Sequence, residues 1–177
     1  MSTRTLKPVR SCLALLILCS CIGCDQATKR IATERLKGAP ARSYAADTIR
    51  LQYALNPGGF LSVGSTIPGT LRTALFIGLN LCLSFALGIF LLLRPRMPTI
   101  LFIATVFVLA GGIGNLIDRV WNFGLVIDFL NVGIGPIRTG IFNVADLAVT
   151  FGAVAMLVCL ELDNKRGTVR ATPDSTT

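Results

Sequence analysis

The chain has 177 residues, 53% of them hydrophobic and 15% charged, with a formal net charge of +8. That is too apolar for a soluble domain of this size; it points to a single integral membrane domain whose basic residues flank spans, and no nucleic-acid partner is expected. With no histidine, the chain holds no Ser-His-Asp triad, no Cys-His pair and no HExxH zinc site, so hydrolytic chemistry would have to come from carboxylates, lysines or thiols.

Residues 1–10 carry Arg4, Lys7 and Arg10 and no acid, and a fourteen-residue apolar run, Ser11 to Cys24, follows. Alone this reads as a signal peptide, and Leu18-Cys19-Ser20-Cys21 even looks like a lipoprotein lipobox. Three further apolar runs make a first transmembrane helix over about 8–28 the better reading, with Asp25, Gln26 and Thr28 at membrane depth and Lys29 at the interface. Residues 29–37 pattern as a short interfacial helix. Ile49 to Leu55 alternates apolar and polar, the period of a half-buried strand, and ends at the turn signal Asn56-Pro57-Gly58-Gly59. The second span is expected over 72–93 and the third over 99–117, joined by Arg94-Pro95-Arg96-Met97-Pro98. A polar connection with the strand-like Val126 to Leu130 precedes a fourth span over 141–162, and 163–177 reads as a disordered polar tail. All six cysteines (Cys12, Cys19, Cys21, Cys24, Cys82 and Cys159) lie in or beside apolar runs, without metal-ligand spacing, and read as packing residues. No metal or cofactor is expected. The fold class is thus an all-α membrane protein with a small β element.

Short loops report orientation best, so Arg94 and Arg96 place that connection in the cytoplasm, and four spans then put both termini there too. Asp25, Asp118, Asp128 and Asp146 fall together near the outer face, as do Asn56, Asn115 and Asn143. Acids at helix ends commonly cap helices or pair with arginine. That reading suits Asp118, which is followed by Arg119 and is assigned a structural role. Gly111, Gly112 and Gly114 allow close helix packing below it. Asp146 is the one charge in the twenty residues from Ile141 to Leu160. A carboxylate there is expensive and marks a functional site. Asn143 and Asp146 have capping-box spacing, but a cap does not explain a second acid, Asp128, in an apolar strand. If the two meet, they share a proton; the helix N-terminus favours the charged form of Asp146, leaving Asp128 the proton. One acid would activate a water and the other would protonate a scissile carbonyl.

Five blocks carry a resemblance to the lipoprotein signal peptidase family, signal peptidase II: Asp25-Gln26-Ala27-Thr28-Lys29, Asn56-Pro57-Gly58, Gly114-Asn115-Leu116-Ile117-Asp118-Arg119, Val126-Ile127-Asp128-Phe129 and Phe142-Asn143-Val144-Ala145-Asp146. The match covers roughly residues 11–162. It implies an aspartyl endopeptidase of the bacterial inner membrane, with catalytic Asp128 and Asp146. Asn56, Gly58, Asn115, Arg119, Asn143 and Asp25 would bind or orient the substrate. The substrates implied are diacylglyceryl-prolipoproteins, cut before the lipidated cysteine. A sheet-like cradle on the periplasmic face is implied over 44–70 and 120–140. Where the family often reads Asn-x-Gly-Ala-Ala-Phe, this chain brings Phe60 one residue closer. Membrane lipids are the other expected partners, and a monomer is expected. The competing readings are a four-helix transporter or channel binding an ion or proton at Asp146 and Asp25, and a non-enzymatic assembly protein using the glycines as a contact face.

Overall fold

The computed structural model describes residues 6–58 and 68–171. The elements are α1 (Leu6–Leu36), β1 (Arg42–Tyr44), β2 (Ile49–Asn56), α2 (Gly69–Leu93), α3 (Thr99–Trp121), β3 (Val126–Ile134), β4 (Ile137–Arg138) and α4 (Val144–Ala171). Among the described residues, four helices are long and apolar enough to cross a membrane, over Pro8–Leu36, Gly69–Leu93, Thr99–Trp121 and Val144–Leu162. Proline sets several of the boundaries. Pro68 and Pro98 stand immediately before α2 and α3 with φ of −50° and −53°, near the helical value. Pro95 disfavours helix at the residue before it, and α2 ends at Leu93.

α3 is the central helix: it packs against each of the other three. Its glycines set how closely. A Cβ on Gly111 would collide with the Ala145 carbonyl oxygen, and one on Gly114 would lie 3.2 Å from the Ala145 Cβ. Across the same seam, a Cβ on Gly152 of α4 would lie 2.7 Å from the Ala104 carbonyl oxygen. Backbones this close gain dispersion contacts that lipid cannot replace. Elsewhere the helices expose Leu79, Phe85, Leu92, Phe151 and Leu157, the composition of a lipid-facing surface.

A four-stranded antiparallel sheet, β1-β2-β3-β4, closes one end of the bundle. Phe129 packs with Ala32 and Leu36 of α1, seating the sheet on that helix. After α3 the chain reverses through Phe123 (φ 55°) and Gly124 (φ 92°). A side chain on Gly124 would run into Thr73, so glycine alone fits this turn. In the β2–β3 ladder Ala54 faces Asp128 and Asn56 faces Val126, beyond a bulge between Leu51 and Ala54. Asn56, two residues from Ala54 on the same face, is therefore a diagonal neighbour of Asp128. β3 is also stitched to the segment entering α4, where Leu130 and Phe142 exchange backbone bonds of 2.9 and 2.8 Å.

Three sequence expectations are corrected. Residues 29–37 are not a separate interfacial helix; α1 runs unbroken to Leu36, because the buried contacts of Ala32 and Leu36 hold its last turns against the sheet. The fourth helix begins at Val144 rather than 141, since 141–143 is extended and bonded to β3. It continues to Ala171, so 163–171 is helical backbone and not an irregular tail.

Candidate active site

The site lies at the sheet end of the bundle, where β3, the start of α4 and the last turns of α1 and α3 converge. Asp146 is in the first turn of α4. Asn143 Oδ1 accepts from the Asp146 amide at 2.9 Å, and Asp146 Oδ2 accepts from the Asn143 amide at 3.2 Å, the reciprocal pattern of a capping box. The other carboxylate oxygen, Oδ1, accepts from Asn115 Nδ2 at 2.8 Å.

Asp128 comes from β3 and is 1% exposed. Its Oδ1 accepts from Asn143 Nδ2 at 2.6 Å and its Oδ2 from Asn56 Nδ2 at 2.9 Å. Asn143 Nδ2 also approaches Asn115 Oδ1 at 3.2 Å. The two acids are thus bridged through Asn115 and Asn143. Burial, and then the charge of Asp146, push the Asp128 carboxyl up to about 7, against the pull of the two asparagine bonds. Near neutral pH it can hold or release a proton, as a general acid requires.

The asparagines are themselves oriented. Gly58 N donates to Asn56 Oδ1 at 2.9 Å, which turns the Asn56 amino group toward Asp128. Lys29 does the same for Asn115. Its Nζ donates to Asn115 Oδ1 at 3.1 Å, leaving the Asn115 amino group for Asp146. Lys29 Nζ also pairs with Asp25 Oδ2 at 2.8 Å and Asp118 Oδ2 at 3.0 Å, with all three side chains no more than 2% exposed. Asp25 Oδ1 accepts from the Ala145 amide at 2.8 Å, so α1 caps an orphan N–H of α4. Gln26 Nε2 completes the cluster, donating to Asp118 Oδ1 at 3.0 Å and to the Gly114 carbonyl at 3.2 Å.

Asp118 does not pair with Arg119 as the sequence reading has it. Its Oδ2 takes Lys29 and the Ile127 amide (2.9 Å), tying α3 to α1 and β3. Arg119 instead donates Nη2 to the Gly58 carbonyl at 2.9 Å and Nη1 to the Asn115 carbonyl at 3.3 Å, with its guanidinium carbon 5.5 Å from the Phe76 ring centroid. Its Nε is buried without a hydrogen-bond partner among the described residues. Asp128, Asp146, Asn56, Gly58, Asn115, Asn143, Asp25, Asp118 and Arg119 therefore all belong to one connected network. Phe60 lies outside the described residues. Lys29 and Gln26 were missed as site residues. The signal for Lys29 was present in the i,i+4 spacing of Asp25 and Lys29 on a helix that continues inward-facing past the apolar run.

A cavity of about 280 Å³ opens beside the pair, bordered by Asn56, Ile141, Phe142, Asp146, Leu147 and Thr150, among others. Asp146 and Asn56 reach its wall; Asp128 sits behind Asn56 and Asn143. Among the described residues, no three His, Cys, Asp or Glu side chains gather as a metal site would.

The family model described as "Signal peptidase (SPase) II" matches residues 17–162. A lipoprotein signal peptidase of Desulforapulum autotrophicum is 33% identical over 159 residues, 89% of this chain and 93% of the relative. One from Moorella thermoacetica is 30% identical over 151 residues, 85% and 89% of the two chains. A bacterial membrane enzyme solved by the in meso method at 2.3 Å superposes with a TM-score of 0.78 at 24% identity, covering 93% of this chain and 94% of that one. At that identity the likeness is one of fold.

Proposed function

We propose that this chain, which belongs to the signal peptidase II family, cuts its substrates with Asp128 and Asp146 as an aspartyl pair. As a member of that family it is a multi-pass inner-membrane protease that removes signal peptides from prolipoproteins. The observation that carries the pair is the bridging of a buried acid from β3 and a half-buried one from α4 by Asn115 and Asn143, beside an apolar cavity. Asp128, holding the proton, donates it to the scissile carbonyl oxygen. Asp146, on the cavity wall, takes a proton from the attacking water. The tetrahedral intermediate then collapses with transfer of a proton to the leaving amine. No covalent enzyme intermediate is needed.

The substrate is a diacylglyceryl-modified precursor, cut on the N-terminal side of its lipidated cysteine. Burial contributes about 0.8 kcal/mol per methylene, so the lipid anchors the substrate while Asn56 and Arg119 hold the peptide. Leu147 borders both the cavity and an apolar trough of about 610 Å³ between α3 and α4, which gives an acyl chain a place beside the scissile bond. The active site faces the periplasm, both termini are cytoplasmic, and the enzyme acts as a monomeric single domain. Orientation follows from Arg94 and Arg96 in the short connection. The test is cleavage by purified protein of a diacylglyceryl-modified precursor and of its unmodified form. Wild type should cut the first and not the second. Asp128→Asn and Asp146→Asn should fold, insert and cut neither; turnover by either variant at the wild-type rate removes the pair from the mechanism.

A further inference from the structure

We propose that the cleft between α1, the end of α2 and the start of α3, at the end of the bundle remote from the sheet, binds an anionic phospholipid. Its phosphate would sit on Arg10 and an acyl chain would run along Leu15, Leu91 and Phe102. The cleft has a volume of about 600 Å³. At its mouth Arg10 is held, not loosely tethered. Nη1 donates to the Pro95 carbonyl at 2.8 Å, and the guanidinium carbon lies 5.4 Å from the Phe102 ring centroid. Below the guanidinium the walls are Leu15, Leu91, Leu92 and Phe102, with no carboxylate among the lining residues. Arg94 and Arg96, both exposed, flank Pro95 on the same connection, so three arginines gather about the mouth.

Basic pockets between spans beside a polybasic connection retain lipid phosphate. The two halves of this site set two requirements. A free phosphate meets the guanidinium but leaves the apolar walls uncovered. A zwitterionic lipid covers the walls but brings its own cation to Arg10. A lipid with a net negative headgroup meets both. Gly88 also borders the cleft, and a Cβ there would meet nothing within 4 Å. The space at that Cβ is therefore open, and a side chain added there enters the cleft.

The experiment uses the full-length protein in detergent, supplemented with phosphatidylglycerol, phosphatidylcholine or inorganic phosphate, and counts retained ligand by native mass spectrometry. Wild type should retain phosphatidylglycerol in preference to the other two. Arg10→Gln should reduce retention about fivefold, the effect of one basic residue's attraction to an anionic lipid. Gly88→Leu should reduce it with Arg10 still in place, so either variant decides the matter should the other misfold. Both should still cleave a lipidated precursor in detergent, since neither touches the acid pair. Wild-type retention in both variants, or equal retention of phosphatidylcholine or of phosphate, would overturn the site.

Discussion

Lys29→Met removes one charge from the centre of the network and keeps most of the side chain's volume. The ammonium it deletes faces two carboxylates, Asp25 at 2.8 Å and Asp118 at 3.0 Å, each no more than 2% exposed. Removing one partner of a buried pair costs about 3–5 kcal/mol, because the remaining charge is stranded without solvent. Here two are stranded, so the upper part of that range is expected. A loss of that size lowers the melting temperature by on the order of 10 °C. A second effect should appear in the protein that remains folded. Asn115 Oδ1 loses its charged donor and keeps only Asn143 Nδ2 at 3.2 Å, so the amide is freer to turn its oxygen toward Asp146. A carboxylate facing a carbonyl oxygen replaces a hydrogen bond with repulsion, worth about 1–3 kcal/mol. That is roughly a tenfold to hundredfold fall in kcat, with KM little changed because substrate contacts are elsewhere. Thermal unfolding in detergent and steady-state cleavage of a lipidated precursor measure the two effects separately. Adding Asp25→Asn removes one stranded charge, and the double variant should recover part of the lost stability. A Lys29→Met protein that melts and turns over like wild type would refute the reasoning, for it would mean the ammonium neither holds α1 to α3 nor orients Asn115.

Because Asp128 must hold its proton to donate it, and burial beside Asp146 raises its value to about 7, kcat/KM should fall about tenfold per pH unit above that value. The same shift sets a stability slope. The unfolded chain loses this proton near pH ~3.9 and the folded protein keeps it to about 7, so stability falls as pH rises across that window and levels off beyond it. Comparing denaturation at pH 5 and pH 8, Asp128→Asn should lack that component of the slope. Gly111→Ala drives a methyl toward the Ala145 carbonyl oxygen and to 2.7 Å from Val149 Cγ2, which should cost about 1–3 kcal/mol and reduce cleavage by shifting the turn that carries Asp146. Gly78→Ala, where a Cβ meets nothing within 4 Å, is the control and should be neutral or slightly stabilising in a thermal melt. Arg119→Lys loses the planar fork that reaches both the Gly58 and Asn115 carbonyls, and should raise KM for the precursor more than it lowers kcat.

The four spans, the strand over 49–55, the Asn143–Asp146 cap and the two acids were legible in the chain because each is a local signal. Apolar length, period-two alternation and capping spacing need no knowledge of the rest of the molecule. What was not legible came from long-range pairing. Lys29 reads as an interfacial residue because a cation just past an apolar run usually snorkels to water. It is buried because Asp118 and Asn115 arrive from α3 to receive it. Asp118 was matched to Arg119 for want of any other cation nearby in sequence, and β3 turns it toward Lys29 and the Ile127 amide instead. The Asn56–Asp128 bond depends on a ladder register that includes a bulge, which composition does not reveal. The proposed lipid cleft also escaped notice, since the Arg10–Pro95 bond joins residues far apart in the chain.

The Asp25 carboxylate near the start of the chain receives the Ala145 amide near its end. During synthesis, then, the first helix is made with that carboxylate still waiting for its donor, which comes only with the start of the fourth span. A half-made copy lacks both that amide and Asp146, so the cluster of Asp25, Lys29 and Asp118 gains its full set of partners only once the fourth span is in place.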